Sequence, residues 1–399
     1  MLPLEGITLL DLTHMLSGPY GTLLLTDLGA QTIKVEPPGP GEGTRALLAG
    51  DPDHSRQGMG AYFLALNRSK RSVCVDLKSE AGRAVFYDLV RQADVVFDNF
   101  SVGVPARLGI DHATLAAINP RIITCSVTGF GETGPAIERP AFDQVVQAMG
   151  GGMSITGTPE SGPMRSGIPI GDLGGGLFGA LGVLAALQKR TRTGVGEHVD
   201  ISMLDAQISL LNYMATMHLM SGQVPTGIGN GHFVHVPYNC YPTADGHVIV
   251  ACIGDAFFER FAAFAGIAEL EKPEYRSQPV RYADKARIDA LIAEKFRKHT
   301  TAHWLAALRE ARIPCGPVNN FAQALSDPQV LARDMVVDVP LPGGGFVRSP
   351  GNPVKVGHDS HRAHTAPPRL GEHTDAVLAE LPGYDAQRLT ALRSAGAIA

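Results

Sequence analysis

One carboxylate stands out by its surroundings. In the run "RSGIPIGDLGGGLFGALGVLAALQKR", residues 165–190, Asp172 is the one charged side chain between Arg165 and Lys189. Gly171 precedes it; Gly174, Gly175, Gly176 and Gly179 follow. Two chemistries suit such a residue. At a loop–helix junction a carboxylate accepts backbone N–H bonds as a cap and is favoured by the helix dipole. Alternatively, the glycines bare the backbone so that a bulky ligand reaches the carboxylate. Spacing alone leaves both open.

Other reactive residues show less pattern. The five cysteines (Cys74, Cys125, Cys240, Cys252, Cys315) are odd in number and never in C-x-x-C spacing. They read as reduced thiols of a cytoplasmic protein, not as a zinc site. No cluster of His, Cys, Asp or Glu has metal-ligand spacing, so no metal is expected. "THMLSGPYG" lacks the G-x-G-x-x-G of a dinucleotide turn, and Pro19 removes an N–H such a turn would use. "GPGEGTR" and "GIGNG" are glycine-rich, but no Lys-Ser or Lys-Thr follows, so neither is a Walker loop.

The elements that must position these residues read as α/β. Leu177, Leu181, Leu184 and Leu187 recur at helical spacing behind Asp172, which predicts a buried helix there. "ITLLDL", "QTIKVE", "RSVCVDL", "DVVFDNF" and "RIITCSVTGFG" are short apolar strands, with helices over 18–30 and 78–93 between them. Such alternation predicts a parallel sheet covered on both faces, with ligands at the carboxyl ends of its strands. After residue 188 the character changes, and 222–242 reads as a long Gly/Pro-rich loop. A smaller unit follows, with one strand ("GHVIVACIG"), a helix and a helical pair, then a Pro/Gly-rich tail and a last helix. A net charge of −5 gives no reason to expect nucleic acid or an anionic membrane. The N-terminus lacks a basic n-region, and the apolar run at 173–187 is too short and glycine-rich for a membrane span.

Seven blocks then carry a resemblance. "GITLLDLTHMLSGPYGTLLLTDLGAQTIKVEPPGPGEGTR", "LNRSKRSVCVDLK", "DVVFDNF", "GIPIGDLGGGLFGALGVLAAL", "GVGEHVDISMLDA", "IPCGPV" and "LGEHTDAVL" stand in order from residue 5 to beyond 370. Together they resemble the class III CoA-transferases, the formyl-CoA transferase or CaiB–BaiF family, which also includes α-methylacyl-CoA racemases. The resemblance implies a large Rossmann-like parallel-sheet domain plus a smaller α+β domain, in an interlocked homodimer. Residues 1–200 would be the first part of the large, CoA-binding domain. Residues 225–325 would be the small domain, and 326–399 a linker and a return to the large one.

The resemblance also implies an activity, the movement of CoA from an acyl-CoA to a carboxylic acid, with no permanently bound cofactor. Asp172 falls on the family nucleophile. Its carboxylate would attack the thioester to give a mixed anhydride and release CoA thiolate, which attacks the anhydride to give an aspartyl-CoA thioester. The acceptor carboxylate attacks that thioester and the steps reverse. Every intermediate stays activated, so the site must exclude water. His14, Leu16 and Ser17 fall on the turn along the thioester arm. Lys78, Asn99, Phe100 and Arg107 fall on positions that hold CoA. Some members carry an arginine where this chain has Pro37, so that contact is lost or is taken over by Arg45. Leu16 stands where formyl-transferring members carry glutamine, which turns the expectation from oxalate toward succinyl-CoA or a similar dicarboxylyl donor. Arg139, Phe142 and Asp143 would line the substrate pocket, with Gly229 and Gly231 as hinges of a covering loop and His232 as an acceptor contact. Racemases place a histidine base where this chain has Phe142, and phenylalanine moves no protons. That weighs against the racemase alternative. A non-catalytic CoA-binding protein would need Asp172 or its glycines to be absent, and all are present.

Overall fold

Six short strands build the principal sheet. The computed structural model describes residues 2–357 and 363–399. The strands are β1 (Thr8–Asp11), β2 (Gln31–Glu36), β3 (Arg71–Cys74), β4 (Val95–Asp98), β5 (Ile123–Thr128) and β6 (His198–Ser202). They lie parallel in the order β3-β2-β1-β4-β5-β6. This is the doubly wound order, which reverses direction between β1 and β4 and opens a crevice at their carboxyl ends.

Both faces of the sheet are covered; β1 and β4 are mostly apolar, whereas β2 (QTIKVE) and β5 (ITCSVT) alternate in polarity and are buried almost throughout. Leu9, Val95, Phe97, Cys125 and Val127 pack with Leu24, Leu25, Val183, Leu187 and Met203. Those partners come from α1 (Ser17–Asp27), α4 (Ile170–Thr193) and α5 (Met203–Leu211). Leu10, Val35, Val73 and Val96 point the other way. They pack with Phe86 and Leu89 of α2 (Glu80–Val90) and with Val377, Leu378 and Leu389 near the C-terminus. The C-terminal segment is stitched to β3. His373 N donates to Ser72 O (2.9 Å), Cys74 N to Thr374 Oγ1 (3.1 Å), and Asp76 N to Ala397 O (2.9 Å).

α4 corrects two expectations. Its buried face is made by Gly174, Gly175, Gly176, Gly179, Ala180, Val183 and Leu187. Leu177 and Leu181 are 51% and 57% exposed. The glycines therefore do not bare backbone to a ligand; they let α4 lie against α1 and the sheet. A Cβ on Gly176 would sit 2.2 Å from Ser17 O, and one on Gly179 would sit 2.6 Å from Phe97 Cζ. The helix is also 24 residues long, enough by length and composition to cross a membrane, but its glycine face is packed inside the protein.

The chain divides into two units. One comprises residues 1–153, 165–223 and 331–399; the other comprises 154–164 and 224–330. The second has a three-stranded antiparallel sheet in the order β9-β8-β7, from β7 (Tyr238–Pro242), β8 (His247–Ala251) and β9 (Cys315–Pro317). Phe258, Phe261, Ile288, Ile292, Phe296 and Trp304 from its helices form its core. Residues 154–164, counted with the large domain on sequence grounds, belong to this unit. Gly229 N donates to Gly157 O (2.8 Å), and Gly227 lies so close that a Cβ would meet Gly157 O at 2.7 Å. Such a contact between glycine backbones leaves no hydropathy signal.

Candidate active site

The crevice between β1 and β4 is built from the bottom by buried charge. Asp11 ends β1 fully buried and accepts from Thr13 N (2.9 Å), Thr13 Oγ1 (2.5 Å), Thr22 Oγ1 (2.9 Å) and Lys70 Nζ (2.8 Å). Lys34 Nζ donates to Thr13 O (2.8 Å). Two buried ammonium groups hold the Asp11 carboxyl far below its usual range against the opposing effect of burial. This network fixes the turn that leaves β1.

The turn, residues 13–16, is then clamped from β4. Asn99 accepts from His14 N and donates to His14 O, both at 2.8 Å. Met15 takes a left-handed φ of +64°, a conformation costly for a side chain of its size. Glu42 Oε2 accepts its N–H (3.3 Å). The His14 ring lies 5.6 Å from that of Phe100. Burial first and Lys34 second lower the pKa of His14, so the ring is neutral at pH 7.

The third wall follows β5. Residues 129–142 loop round to the short helix α3 (Asp143–Met149). Arg139 lies over the Phe130 ring at 5.1 Å. Phe142 is 72% exposed at the rim. Asp172 completes the site from the first turn of α4. The cavity between these walls holds about 710 Å³ and is lined by His14, Ser17, Phe100, Arg107, Arg139 and Asp172 among others, a size that suits a large, part-polar ligand.

Asp172 is not the cap of α4. The N-cap position is Pro169, which has no side-chain donor or acceptor, and Asp172 stands three residues in. Its carboxylate makes no hydrogen bond or ion pair among the described residues. Burial first, and the Asp143 charge second, push its pKa up to about 6. The group is ionised at pH 7 but poorly solvated, which leaves a carboxylate more nucleophilic than one in water.

Residues 4–374 match the family described as CoA-transferase family III. The chain is 39% identical over 388 residues to an acetyl-CoA:oxalate CoA-transferase of Acetobacter aceti, covering 96% of this chain and 97% of the relative. It is 38% identical over 384 residues to a succinate–glutarate CoA-transferase of Agrobacterium fabrum, covering 95% and 96%. The fold superposes on the crystal structure of a CAIB/BAIF family protein from Brucella suis with a TM-score of 0.84 at 36% identity, covering 95% of this chain and 99% of that one. The chain belongs to CoA-transferase family III.

The transferase gathers most of its sequence-expected site residues in one place. His14, Leu16, Ser17, Asn99, Phe100, Arg107, Arg139, Phe142, Asp143 and Asp172 all line the one cavity. Asn99 does so with both ends of its amide spent on the His14 backbone, so it shapes the turn. Arg107 is exposed on the cavity and makes no ion pair among the described residues, which leaves its guanidinium for an anion. Arg45 corrects an expectation. Its guanidinium bonds Glu36 at 2.6 and 2.7 Å and Pro368 O at 3.1 Å, and lies 4.0 Å over Phe63. Three of its five N–H donors are spent within the protein and it is not among the residues lining the cavity, so Arg45 acts in the framework. Lys78 is solvent-exposed and outside the cavity lining.

Gly229, Gly231 and His232 belong to the second unit of the transferase. There His232 Nδ1 accepts from Val234 N (2.9 Å) and His235 N (3.1 Å), which shapes its own turn. A Cβ on Gly231 would meet Lys285 Nζ at 2.7 Å. Glu42 and Phe130 are site residues that the sequence does not single out. Glu42 has a signal, an acid between glycines in "GPGEGTR"; Phe130 has none.

Proposed function

We propose that this transferase moves CoA from succinyl-CoA, or a similar dicarboxylyl-CoA, to a carboxylic acid through an anhydride and a CoA thioester of Asp172. One observation carries the reading: a half-buried carboxylate with no partner among the described residues opens on a cavity that also holds two arginines. Arg107 supplies a cation for a CoA phosphate, and charge-assisted bonds are the strong kind. Arg139, braced on Phe130, supplies one for the far carboxylate of a dicarboxylic acid. The relatives named for oxalate and for succinate and glutarate support dicarboxylic substrates. Phe142 at the rim offers no proton, which supports transfer over racemisation.

Each step conserves the thioester's free energy. Asp172 attacks the acyl carbonyl, the C–S bond breaks, and CoA thiolate leaves. The thiolate attacks the aspartyl carbonyl of the anhydride and releases the donor acid. The acceptor carboxylate then displaces the thiolate from Asp172, and the thiolate takes the new acyl group, restoring the carboxylate. We infer that the enzyme works in the cytoplasm as an interlocked homodimer, with its thiols reduced, no resident cofactor or metal, and no nucleic-acid or membrane partner. Exposed apolar side chains along α4, α5 and α6 (Tyr213–Ser221) support a dimer.

The test offers succinyl-CoA, or acetyl-CoA in its place, with glutarate, oxalate and a panel of monocarboxylates, and follows acyl-CoA products by mass spectrometry. Hydroxylamine added during turnover should leave a hydroxamate on the Asp172 peptide. Asp172→Asn should lose both the hydroxamate and transfer, by at least about 1,000-fold. Transfer by Asp172→Asn near the wild-type rate would show direct attack of the acceptor on acyl-CoA. Turnover only of acetyl-CoA with oxalate would replace the proposed donor.

A further inference from the structure

The first four N–H groups of a helix, from the N-cap inward, have no partner within it; in α4 the N-cap is Pro169, which has none, and the other three can be traced. Ile170 N donates to Ile168 O (2.8 Å), and the first bond within the helix is Leu173 N to Pro169 O (3.0 Å). Gly171 N and Asp172 N both donate to one oxygen of Asp143, at 2.8 and 3.3 Å. The cap of the helix that carries Asp172 thus comes from a different helix, 29 residues earlier in the chain.

Asp143 is itself held. Its other oxygen accepts from Gln147 Nε2 at 2.7 Å. Gln147 is buried, and its Oε1 accepts from Ser166 N (2.9 Å), in the stretch of chain that leads into α4. On the far side, Gln207 Nε2 donates to Ile170 O (3.2 Å). The identity of Gly171 follows from the same geometry. A Cβ there would meet Val146 Cγ2 at 2.6 Å, Asp143 Oδ1 at 2.9 Å and Asp143 O at 3.1 Å. Only glycine lets Asp143 reach the helix end.

In a capping box the acid at the third helical position folds back onto the N-cap amide. Here the N-cap is Pro169, which has no N–H, and the next free amides, those of Gly171 and Asp172, are taken by Asp143. We propose that Asp143 is a positioning residue for the nucleophile: by capping α4 from outside, it denies Asp172 its own backbone donors and leaves that carboxylate presented to the thioester. This rests on the reading of Asp172 as the nucleophile and gives Asp143 a role other than lining the substrate pocket. It also explains why two carboxylates are kept together at a cost in repulsion. Asp143 is the one charged group whose field bears on Asp172 among the described residues; Arg107 and Arg139 line the same cavity.

The experiment mixes enzyme with succinyl-CoA in a single turnover and measures formation of the Asp172–CoA adduct by quenched-flow mass spectrometry from pH 4 to 8. CoA affinity and thermal unfolding are measured alongside. Asp143→Ala removes cap and charge; adduct formation should slow by about 10- to 100-fold, with CoA affinity within about threefold of wild type. Asp143→Asn keeps an acceptor oxygen in place; it should hold the rate within about fivefold of wild type and move the acid limb of the profile below its wild-type position, because the repulsion is gone. The limb shift shows that the two carboxylates meet in solution; slowed adduct formation at unchanged CoA affinity is what a merely structural role would not give. A wild-type rate in Asp143→Ala, or an unmoved limb in Asp143→Asn, overturns the proposal, and the second variant decides alone if the first does not fold. Failure of the Asp172 reading looks different: wild-type enzyme would then form no adduct at all.

Discussion

Asp172 concentrates the chemistry, and its environment sets a pH signature. Burial and Asp143 raise its pKa to about 6, from an ordinary value near 4. Only the ionised carboxylate attacks, so single-turnover adduct formation should rise with pH through about 6. A limb near 4 would mean that the group is solvated when substrate binds. The same shift has a stability sign. Between about pH 4 and 6 the folded chain holds a proton that the unfolded chain has lost, so stability falls as pH rises through that window and stays lower above it. Asp172→Asn should therefore melt higher than wild type at pH 8, by about 1–2 °C for a chain of this size, with the gain fading toward pH 4. Calorimetry at the two pH values checks it; a lower melting temperature at pH 8 would mean that the carboxylate stabilises the helix after all. The position of this residue was legible in its glycine setting. What freed its carboxylate was not, because Asp143 and Gly171 meet only in three dimensions.

The α4 helix shows how a correct element can hide a wrong face. Leucines at helical spacing mark a helix, and a helix is there, but the spacing does not say which side is inward. Glycines and Ala180 won the interior because the approach to α1 is too close for leucine. That approach has a function: it brings the Ser17 backbone beside the first turns of α4, where Asp172 stands. Gly176→Ala should consequently part the two helices. It should cost about 1–3 kcal/mol of stability and slow adduct formation by at least about tenfold. Gly167→Ala is the contrast, since a Cβ there meets nothing within 4 Å; its cost should stay within about 0.5 kcal/mol. Equal effects of the two substitutions, read by chemical denaturation, would show that close packing of α4 on α1 is not what the glycine run provides.

Across the whole chain, what the sequence made legible was local order. Strand–helix alternation predicts the parallel sheet, although the buried strands β2 and β5 alternate in polarity and carry Thr, Lys, Ser and Glu inward. The return of the C-terminus to β3 and the joining of 154–164 to the second unit rest on backbone hydrogen bonds between distant segments, which no residue type announces. One further property follows from the exposed face of the first unit. Leu177, Leu181, Ile208, Leu210, Leu219 and Met220 are 48–83% exposed on three successive helices. Apolar side chains in such number on one run of helices mark a surface that another protein covers. The occupant expected here is a second copy of the chain, and light scattering should give twice the chain mass. Leu181→Glu places a charge in that surface and should yield monomer or aggregate. Subunits interlocked as proposed could not separate without opening the fold, so differently tagged dimers mixed at about 25 °C should show no exchange over a day. A monodisperse, active monomer would remove the dimer; exchange within minutes would keep the dimer but remove the interlocking, leaving two chains joined only by the leucine face of α4 and its neighbours.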